Sequence, residues 1–326
     1  FMNHFSGVKE IKNSIATVLP GTFYRDFEKE TLKQNLLLPC YTASKNICAI
    51  GGMIGNNAAG EKTLLYGKME NFVESLKVVL ADGNEYEISP LTKDELDKKL
   101  TLSNFEGEVY RNVWSLLQEK GDLIKKSKPA VSKNSAGYFI WNVWDGKRFD
   151  LTKLFVGSQG TLGITTEAKL RLVPVKSKSK LFVIFMRDLK NLSRLVNDIL
   201  TLHPESLESY DDDTLKLAIR FFPEMLKSMK VKNFLKLILS FIPESLMMIR
   251  GGVPKLILLV EFSGNNETEI DTKMKLLQEK VRPYGLETRL TRSQDESEKY
   301  WTIRRESFNL LRKHIKGKRT APFVDD

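Results

Sequence analysis

Two glycine-rich segments and one arginine carry the residue types in this chain that could do chemistry. The first segment is Ser44–Gly67, SKNICAIGGMIGNNAAGEKTLLYG. It holds Gly51, Gly52, Gly55, Gly60 and Gly67, small residues Ala49, Ala58 and Ala59, and the amide pair Asn56 and Asn57. Glycine at this density costs conformational entropy to order. Chains accept that cost where backbone must approach a ligand closely or turn with positive φ. A row of backbone N–H groups beside amide side chains suits a phosphate or the edge of a flavin. A turn-rich loop between strands would explain one glycine, but not five in 24 residues together with the adjacent pair Asn56 and Asn57. The second segment, Leu154–Pro174 (LFVGSQGTLGITTEAKLRLVP), reads as strand, glycine turn, strand. Gly157, Gly160 and Gly163 sit three apart, and Ile164, Thr166, Ala168, Leu170 and Leu172 alternate out of them.

The arginine is Arg304. Trp301, Arg304, Phe308, Leu311 and Ile315 are spaced three, four, three, four, which is one face of a helix. The other members of that face are apolar, so Arg304 is expected to point toward a core while Arg305 and Arg312 reach water. A buried guanidinium needs an anion and is best filled by a carboxylate. That carboxylate is either an Asp or Glu of the same domain, such as Glu208 or Glu261, or the carboxylate of a substrate. The residues alone leave both open.

Two common phosphate-binding devices are absent. No two glycines are separated by a single residue, so the GxGxxG fingerprint of nicotinamide dinucleotide enzymes is missing. Gly55-Asn-Asn-Ala-Ala-Gly60-Glu61-Lys62-Thr63 approaches the GxxxxGK[ST] loop with one intruding residue. Glu61 would set a carboxylate against the phosphates, and no apolar strand leads into Gly55. A nucleotide triphosphatase is therefore rejected.

The remaining chain supplies elements to hold these segments. Residues 1–18 read as two short strands around a turn, Pro20-Gly21 as a tight turn, and Phe23–Leu36 as a helix ended by Gln34-Asn35 and Pro39. Leu76, Val78 and Leu80 alternate into an Asp82-Gly83 turn, and Tyr86 and Ile88 alternate back as a hairpin. Thr92–Leu100 and Gly107–Lys126 read as helices. Asn134–Tyr138 is a loop. The polar run Lys176–Lys180 marks the domain boundary. The second half alternates strand and helix: 181–187 strand, Leu189–Leu202 helix, Ser206–Tyr210 strand, Asp211–Phe222 helix, Leu256–Phe262 strand, Glu267–Tyr284 helix, Leu286–Leu290 strand and Ser297–Lys316 helix. This predicts a ferredoxin-like α+β sheet with helices on one face. Asp211, Asp212 and Asp213 read as helix caps rather than metal ligands.

Composition sets the class. The chain has 326 residues, 41% apolar and 28% charged, enough for two domains with cores. Cys40 and Cys48 make neither a disulfide framework nor a metal site and read as small core residues in a reducing cytoplasm. No run reaches the roughly 20 apolar residues of a membrane span, and residues 1–11 do not resemble a signal peptide. Net charge is +10, and residues 215–256 carry eight Lys/Arg against Glu224 and Glu244. The cations there alternate with Phe, Leu, Met and Ile at helical spacing, so nucleic acid is not the expected partner. Within that stretch, 223–250 reads as a basic amphipathic element that either packs on its own domain or touches a membrane surface.

The order of motifs carries a resemblance. Pro20-Gly21, Leu38-Pro39, Ser44 followed by IGG and NxxG up to Gly60, Tyr66-Gly67, ESLKVVLADG and VGSQGTLGI resemble the flavin-binding domain of the vanillyl-alcohol-oxidase/p-cresol-methylhydroxylase (PCMH) superfamily. The branch most resembled contains glycolate oxidase, D-lactate dehydrogenase and D-2-hydroxyglutarate dehydrogenase. LESYDDDTLKLA, LLVEFSG and WTIRRESF resemble that branch's C-terminal domain. The resemblance implies a PCMH-type FAD-binding domain over 1–175 and a FAD-linked oxidase C-terminal domain over 176–326. It implies FAD held by Pro20, Gly21, Ser44, Ile50, Gly51, Gly52, Gly55, Asn56, Asn57, Gly60, Tyr66 and Gly67. The second glycine turn would add Gly157, Gly160, Thr161, Gly163 and Ile164, with Asn134 and Tyr138 near them. Arg304 would take the substrate carboxylate. Members of the branch have a glycine-rich RGxGT-type turn before the matched region and paired metal-binding histidines after it. This chain has only His4, His203 and His314, so the resemblance predicts a chain truncated at both ends. A divalent metal is expected only with the missing segment, and no catalytic base is identified. A basic residue often found two before the closing Asp is Val324 here, which leaves the substrate open. The implied activity is oxidation of a small 2-hydroxy acid by hydride transfer to FAD. The implied electron acceptor is a quinone or an electron-transfer protein, in the cytoplasm or peripherally on the inner face of the membrane. The alternative is a non-catalytic FAD-binding fragment, or a component of an electron-transfer complex, that turns nothing over.

Overall fold

The structure is a computed structural model that describes residues 2–131, 134, 136–222, 224 and 241–314. It divides into two compact units with the break at Val175/Lys176.

The first unit is built on a five-stranded antiparallel sheet. Its strands are β1 (Val8–Lys12), β2 (Ile15–Val18), β3 (Val73–Val79), β4 (Glu85–Ile88) and β5 (Ile164–Arg171). Their order is β1-β2-β5-β3-β4. The β1/β2 turn places Asn13 and Ser14 at positive φ, which a short polar side chain tolerates. The Asp82-Gly83 turn joins β3 to β4 as predicted, with Gly83 at φ 81° and Leu76 opposite Ile88. Strand β5 comes from the second glycine segment and lies between β2 and β3, with Ala168 opposite both Val18 and Leu76. Helices α1 (Tyr24–Leu32), α2 (Ile50–Gly55), α3 (Lys93–Leu100) and α4 (Phe105–Ser127) complete the unit. Thr92 and Glu95 cap α3 reciprocally, two orphan N–H groups satisfied by side chains.

Three readings of this half need correction. The helix predicted over Phe23–Leu36 stops at Leu32. Asn35 turns at φ 55°, and Leu36–Leu37 then pair with Val173–Pro174 as strand. The strand expected from Leu154 is a helical turn, Thr152–Phe155, and extended structure resumes only at Ile164. Periodicity cannot separate strand from helix in so short an apolar run. The glycine-rich stretch is also more than a loop, because it contains α2.

The second unit is a four-stranded antiparallel sheet of β6 (Lys178–Met186), β7 (Ser206–Asp211), β8 (Leu256–Gly264) and β9 (Glu287–Leu290), ordered β7-β8-β6-β9. With α5 (Leu192–Leu200) between β6 and β7 and α8 (Glu267–Val281) between β8 and β9, this is the ferredoxin-like pattern. The polar run 176–180 thus leads directly into β6. Phe182, Ile184 and Met186 pack with Leu195, Ile199, Ile270, Met274 and Leu277 on the face of the crossover helices. The opposite face is covered too, contrary to the one-sided expectation. Leu181, Val183 and Phe185 there meet residues of α6 (Asp212–Arg220) and α9 (Gln294–His314), including Ala218, Tyr300, Trp301 and Ile303. The apolar run of β6 requires this, since consecutive residues of a strand point to opposite faces. Helix α7 (Ile242–Gly251) follows the undescribed residues and precedes β8. The caps read from Asp211–Asp213 are present: Asp211 accepts from the Thr214 N–H. Among the described residues no three His, Cys, Asp or Glu side chains are grouped to hold a metal.

Candidate cofactor site

The two glycine segments meet in the first unit. Pro20, Gly51, Gly52, Gly55, Gly160, Gly163 and Ile164, all expected from the sequence, line one cleft of about 270 Å³. Phe5, Ile54, Phe155, Ser158 and Thr165 complete its wall. None of the lining side chains is ionisable, so no carboxylate faces an incoming anion.

Backbone hydrogen bonds fix the relation of the two segments. Gly51 N–H donates to Pro20 O at 2.8 Å and Ile50 N–H to Thr22 O at 2.9 Å. These two N–H groups are therefore committed to the 20–22 turn and are not free to hold a phosphate, as the sequence had suggested. At the other end of α2, Gly157 N–H donates to Ile54 O at 2.9 Å and Gln159 N–H to Gly55 O at 2.8 Å. The second glycine turn thus caps the C-terminus of α2 and satisfies carbonyls that a helix end leaves unpaired. Gly157, Gln159 and Gly160 all lie at positive φ, the region glycine enters without strain.

The glycines do two different jobs. A Cβ on Gly51 would stand 2.8 Å from Pro20 Cβ, and one on Gly163 2.8 Å from Val79 O. Those positions are glycine for packing. A Cβ on Gly52 or Gly160 would meet nothing within 4 Å, so these two open the floor of the cleft. A wall of bare backbone edged by Phe5, Pro20, Ile54, Phe155 and Ile164 suits the flat, apolar edge of an aromatic ring system. The cleft volume sits just below the roughly 300 Å³ at which small-molecule pockets begin. It therefore fits one part of a flavin dinucleotide and not the whole.

Other expected residues lie outside this cleft. Gly21 N–H donates to Phe5 O at 2.7 Å, which ties the segment bearing Phe5 to the turn. Asn57 is buried at φ 47°, and its Oδ1 accepts from the Glu70 N–H at 3.0 Å. Its Nδ2 is buried and finds no hydrogen-bond partner among the described residues. Asn56 Oδ1 accepts from Gln159 Nε2 at 3.1 Å, a side-chain link between the segments. Thr161 Oγ1 donates to Ser158 O and contacts Tyr138 Oη at 2.7 Å. Lys68 Nζ donates to Asn134 O, bringing that loop to the same region. Ser44 is exposed, with its hydroxyl 2.7 Å from Thr42 Oγ1. Gly60, Tyr66 and Gly67 frame the short helix Thr63–Tyr66, and a Cβ on Gly60 would lie 1.8 Å from Tyr41 O. Glu61 accepts from Tyr41 Oη at 2.8 Å. Gly55 ends a helix rather than a strand, so the geometry of a triphosphate loop is absent there. Phe5 and Phe155 were missed because single apolar residues look alike whether they line a core or a cleft.

In the second unit Arg304 is half-buried. Its Nε and Nη2 both donate to Glu208 Oε2, at 2.7 and 2.5 Å. Of the two anions the sequence left open, the structure holds the internal one, across α9 and β7. Arg305 stacks over Trp301, and His314 stacks on Phe221 with ring centroids 3.8 Å apart.

Fold and cleft together define a two-unit α+β architecture in which glycine backbone walls an uncharged cleft of the first unit. Solved structures with this fold include alkyldihydroxyacetonephosphate synthase (TM-score 0.63, 15% identity, 95% of this chain and 45% of that one). P-cresol methylhydroxylase with substrate bound is another (TM-score 0.58, 14% identity, 94% and 53%). Residues 1–89 match the FAD binding domain family, and residues 175–326 match the C-terminal domain of FAD linked oxidases. The chain therefore carries a FAD binding domain match followed by a match to the C-terminal domain of FAD linked oxidases, in a fold shared with p-cresol methylhydroxylase. D-2-hydroxyglutarate dehydrogenase of Pseudomonas putida is 27% identical over 331 residues, covering 99% of this chain and 31% of that protein. Glycolate oxidase subunit GlcD of Bacillus subtilis is 30% identical over 216 residues, covering 65% and 35%. D-lactate dehydrogenase of Anaerostipes hadrus is 23% identical over 241 residues, covering 72% and 40%. The chain spans about a third of the length of these relatives.

Proposed function

We propose that this chain is the FAD-binding and substrate-domain core of a dehydrogenase that oxidises a small 2-hydroxy acid of the D-lactate or glycolate kind. The observation that carries the reading is the meeting of two glycine segments, about a hundred residues apart, on one uncharged cleft. In this reading residues 1–175 hold FAD and residues 176–326 form the substrate domain. Gly52, Gly55 and Gly160 would let the cofactor approach backbone directly, with Ile54, Phe155 and Ile164 excluding water from its ring. When bound, the flavin supplies acceptance of a hydride from the carbon that bears the hydroxyl.

Arg304 is the candidate for the substrate carboxylate. Both N–H groups that it gives to Glu208 converge on one oxygen, so a bidentate carboxylate would have to compete with Glu208. This competition specifically favours keeping a second reading, a flavoprotein that binds FAD but turns nothing over. The electron acceptor would be a quinone or an electron-transfer protein. The basic stretch 223–250 would give peripheral contact with the inner face of the membrane. Most of that stretch, 223 and 225–240, lies outside the described residues, as does Val324.

The visible spectrum of the purified protein, with and without added FAD, is the first test. A protein that stays colourless defeats both flavin readings. The second test adds D-lactate, glycolate or D-2-hydroxyglutarate with a dye acceptor. Bleaching of the flavin supports the dehydrogenase, and flavin that none of the three bleaches supports the non-catalytic reading.

A further inference from the structure

Thr22 is buried and stands behind the wall of the glycine cleft, not on its lining. Its bonds nevertheless run to both flanks of that wall. The hydroxyl Oγ1 accepts from the Gly7 N–H at 2.8 Å, and its own proton faces Leu19 O at 2.7 Å and Gly7 O at 3.2 Å. The Thr22 carbonyl accepts from the Ile50 N–H at 2.9 Å, at the start of α2. The Thr22 N–H donates to Leu19 O at 3.1 Å and closes the turn.

Other backbone bonds follow the same seam. Leu19 N–H donates to Gly7 O at 3.0 Å, Gly21 N–H to Phe5 O, and Gly51 N–H to Pro20 O. The turn 19–22 is therefore stitched on one side to residues 5–7 and on the other to residues 50–51. Those three segments carry Phe5, Pro20, Gly51 and Gly52 to the cleft. Thr22 joins the two sides within one residue, by its side chain to Gly7 and by its backbone to Ile50. Backbone donors that lose an acceptor must find another, so removing the hydroxyl obliges the Gly7 segment to shift.

We infer that Thr22 is a positioning residue of the cleft. Its hydroxyl fixes the segment bearing Phe5 against the Pro20-Gly21 turn, and its carbonyl seats α2 on the same turn. One residue behind the wall thus sets the spacing of Phe5, Pro20 and Gly52. The inference rests on the reading that this cleft holds part of FAD. Small displacements of a binding wall are costly in affinity.

Flavin fluorescence titration of Thr22→Val and Thr22→Ser tests it. Valine keeps the branch and loses the hydroxyl, whereas serine keeps the hydroxyl. Thr31→Val is the control: Thr31 is fully buried in α1, and its hydroxyl donates to Glu28 O at 3.1 Å within a single helical turn. Thr22→Val should raise the flavin dissociation constant at least about tenfold, and Thr22→Ser by less than about threefold. Thr31→Val should leave it at the parent value. Parent-like binding by Thr22→Val overturns the inference, as does equal weakening by Thr22→Ser or by Thr31→Val.

Amide hydrogen exchange reads the seam without flavin. In Thr22→Val the Gly7, Gly21, Ile50 and Gly51 amides should lose protection together while β3 keeps its own. Loss confined to Gly7 overturns the inference. If Thr22→Val does not fold, the parent decides: its Gly21 and Gly51 amides should share one protection factor, and unequal protection overturns the inference. A parent that binds no flavin defeats the FAD reading and leaves exchange to decide the role of Thr22.

Discussion

Substitution at Gly52 separates a role in ligand binding from a role in folding. Gly52 is in the interior of α2, has no positive φ, and lines the cleft. A Cβ there meets nothing within 4 Å, so alanine is sterically free. Replacing a helical glycine by alanine gains about 0.5–1 kcal/mol. In a unit of this size that raises the unfolding midpoint by roughly 2–4 °C. Leucine at the same place keeps most of the helix preference but sends its branched end into the cleft. The expected result is a flavin dissociation constant raised at least tenfold, about 1.4 kcal/mol, with the midpoint unchanged. Gly60→Ala is the contrast. Its Cβ would fall 1.8 Å from Tyr41 O, backbone that cannot swing aside, and the forced shift costs roughly 1–3 kcal/mol. Gly60→Ala should therefore lose stability first and flavin only as a consequence. Flavin fluorescence titration and thermal unfolding of the three variants make the comparison. Gly52→Leu binding flavin as tightly as the parent would show that this cleft is not the flavin wall. A fall in midpoint for Gly52→Leu as large as that for Gly60→Ala would show that the position is structural.

Three further outcomes are expected. Arg304→Met should keep the flavin spectrum but raise KM for the 2-hydroxy acid by roughly tenfold or more, the loss of a charge-assisted bond of about 1.5–3 kcal/mol. Glu208→Gln, which weakens the competitor, should lower KM, and steady-state kinetics of the pair would disprove the competition if Glu208→Gln raised it instead. Lys299 has no exposed side-chain surface and donates to Glu244 at 3.0 Å. Lys299→Ala should cost about 1.5–3 kcal/mol, the loss of one charge-assisted bond, because Arg289 Nε at 3.5 Å and the Tyr300 hydroxyl still face Glu244, and Lys299→Met with Glu244→Gln should recover much of it in urea unfolding. Glu167 is buried in β5 between Lys9 and Lys77, and its hydrogen bond from Lys9 holds its carboxyl below the usual range. A depressed carboxyl stabilises the fold above the unfolded pKa of about 4.3 and loses that contribution as pH falls through the lower folded value. Glu167→Gln should flatten the decline of the unfolding midpoint on acidification. A decline as steep as the parent's would refute the assignment.

The parts of the fold that were legible in the sequence are those where local chemistry and tertiary packing agree. The Asp82-Gly83 hairpin and the Asp211 cap each put a polar side chain where the backbone needs it. The strands of the second unit were legible because β6 and β8 are buried on both faces and read as unbroken apolar runs. The illegible parts are those where long-range pairing decides. Leu36–Leu37 continue the apolar pattern of α1, yet the pairing with Val173–Pro174 draws them out of the helix. The second covered face of the ferredoxin-like sheet follows from the doubly apolar pattern of β6, a signal present in the chain but outweighed by the crossover helices.

The site was legible in a more specific way. Glycine spacing pointed to both segments that line the cleft, because bare backbone leaves its mark in residue type. What spacing cannot say is which glycine faces the ligand. Gly51 and Gly163 resemble Gly52 and Gly160 in sequence, yet Pro20 and Val79 press on the first pair, whereas a Cβ on the second would meet only open space, and Gly160 also turns at φ 75°. The same limit applies to Arg304. A three-four spacing predicted an arginine on an apolar face with an anion to meet, and the anion present is Glu208. A substrate carboxylate, in the proposed reading, would have to displace this one. The pair is thus as informative about what Arg304 can bind as about what holds it, and Glu208→Gln is the substitution that separates the two.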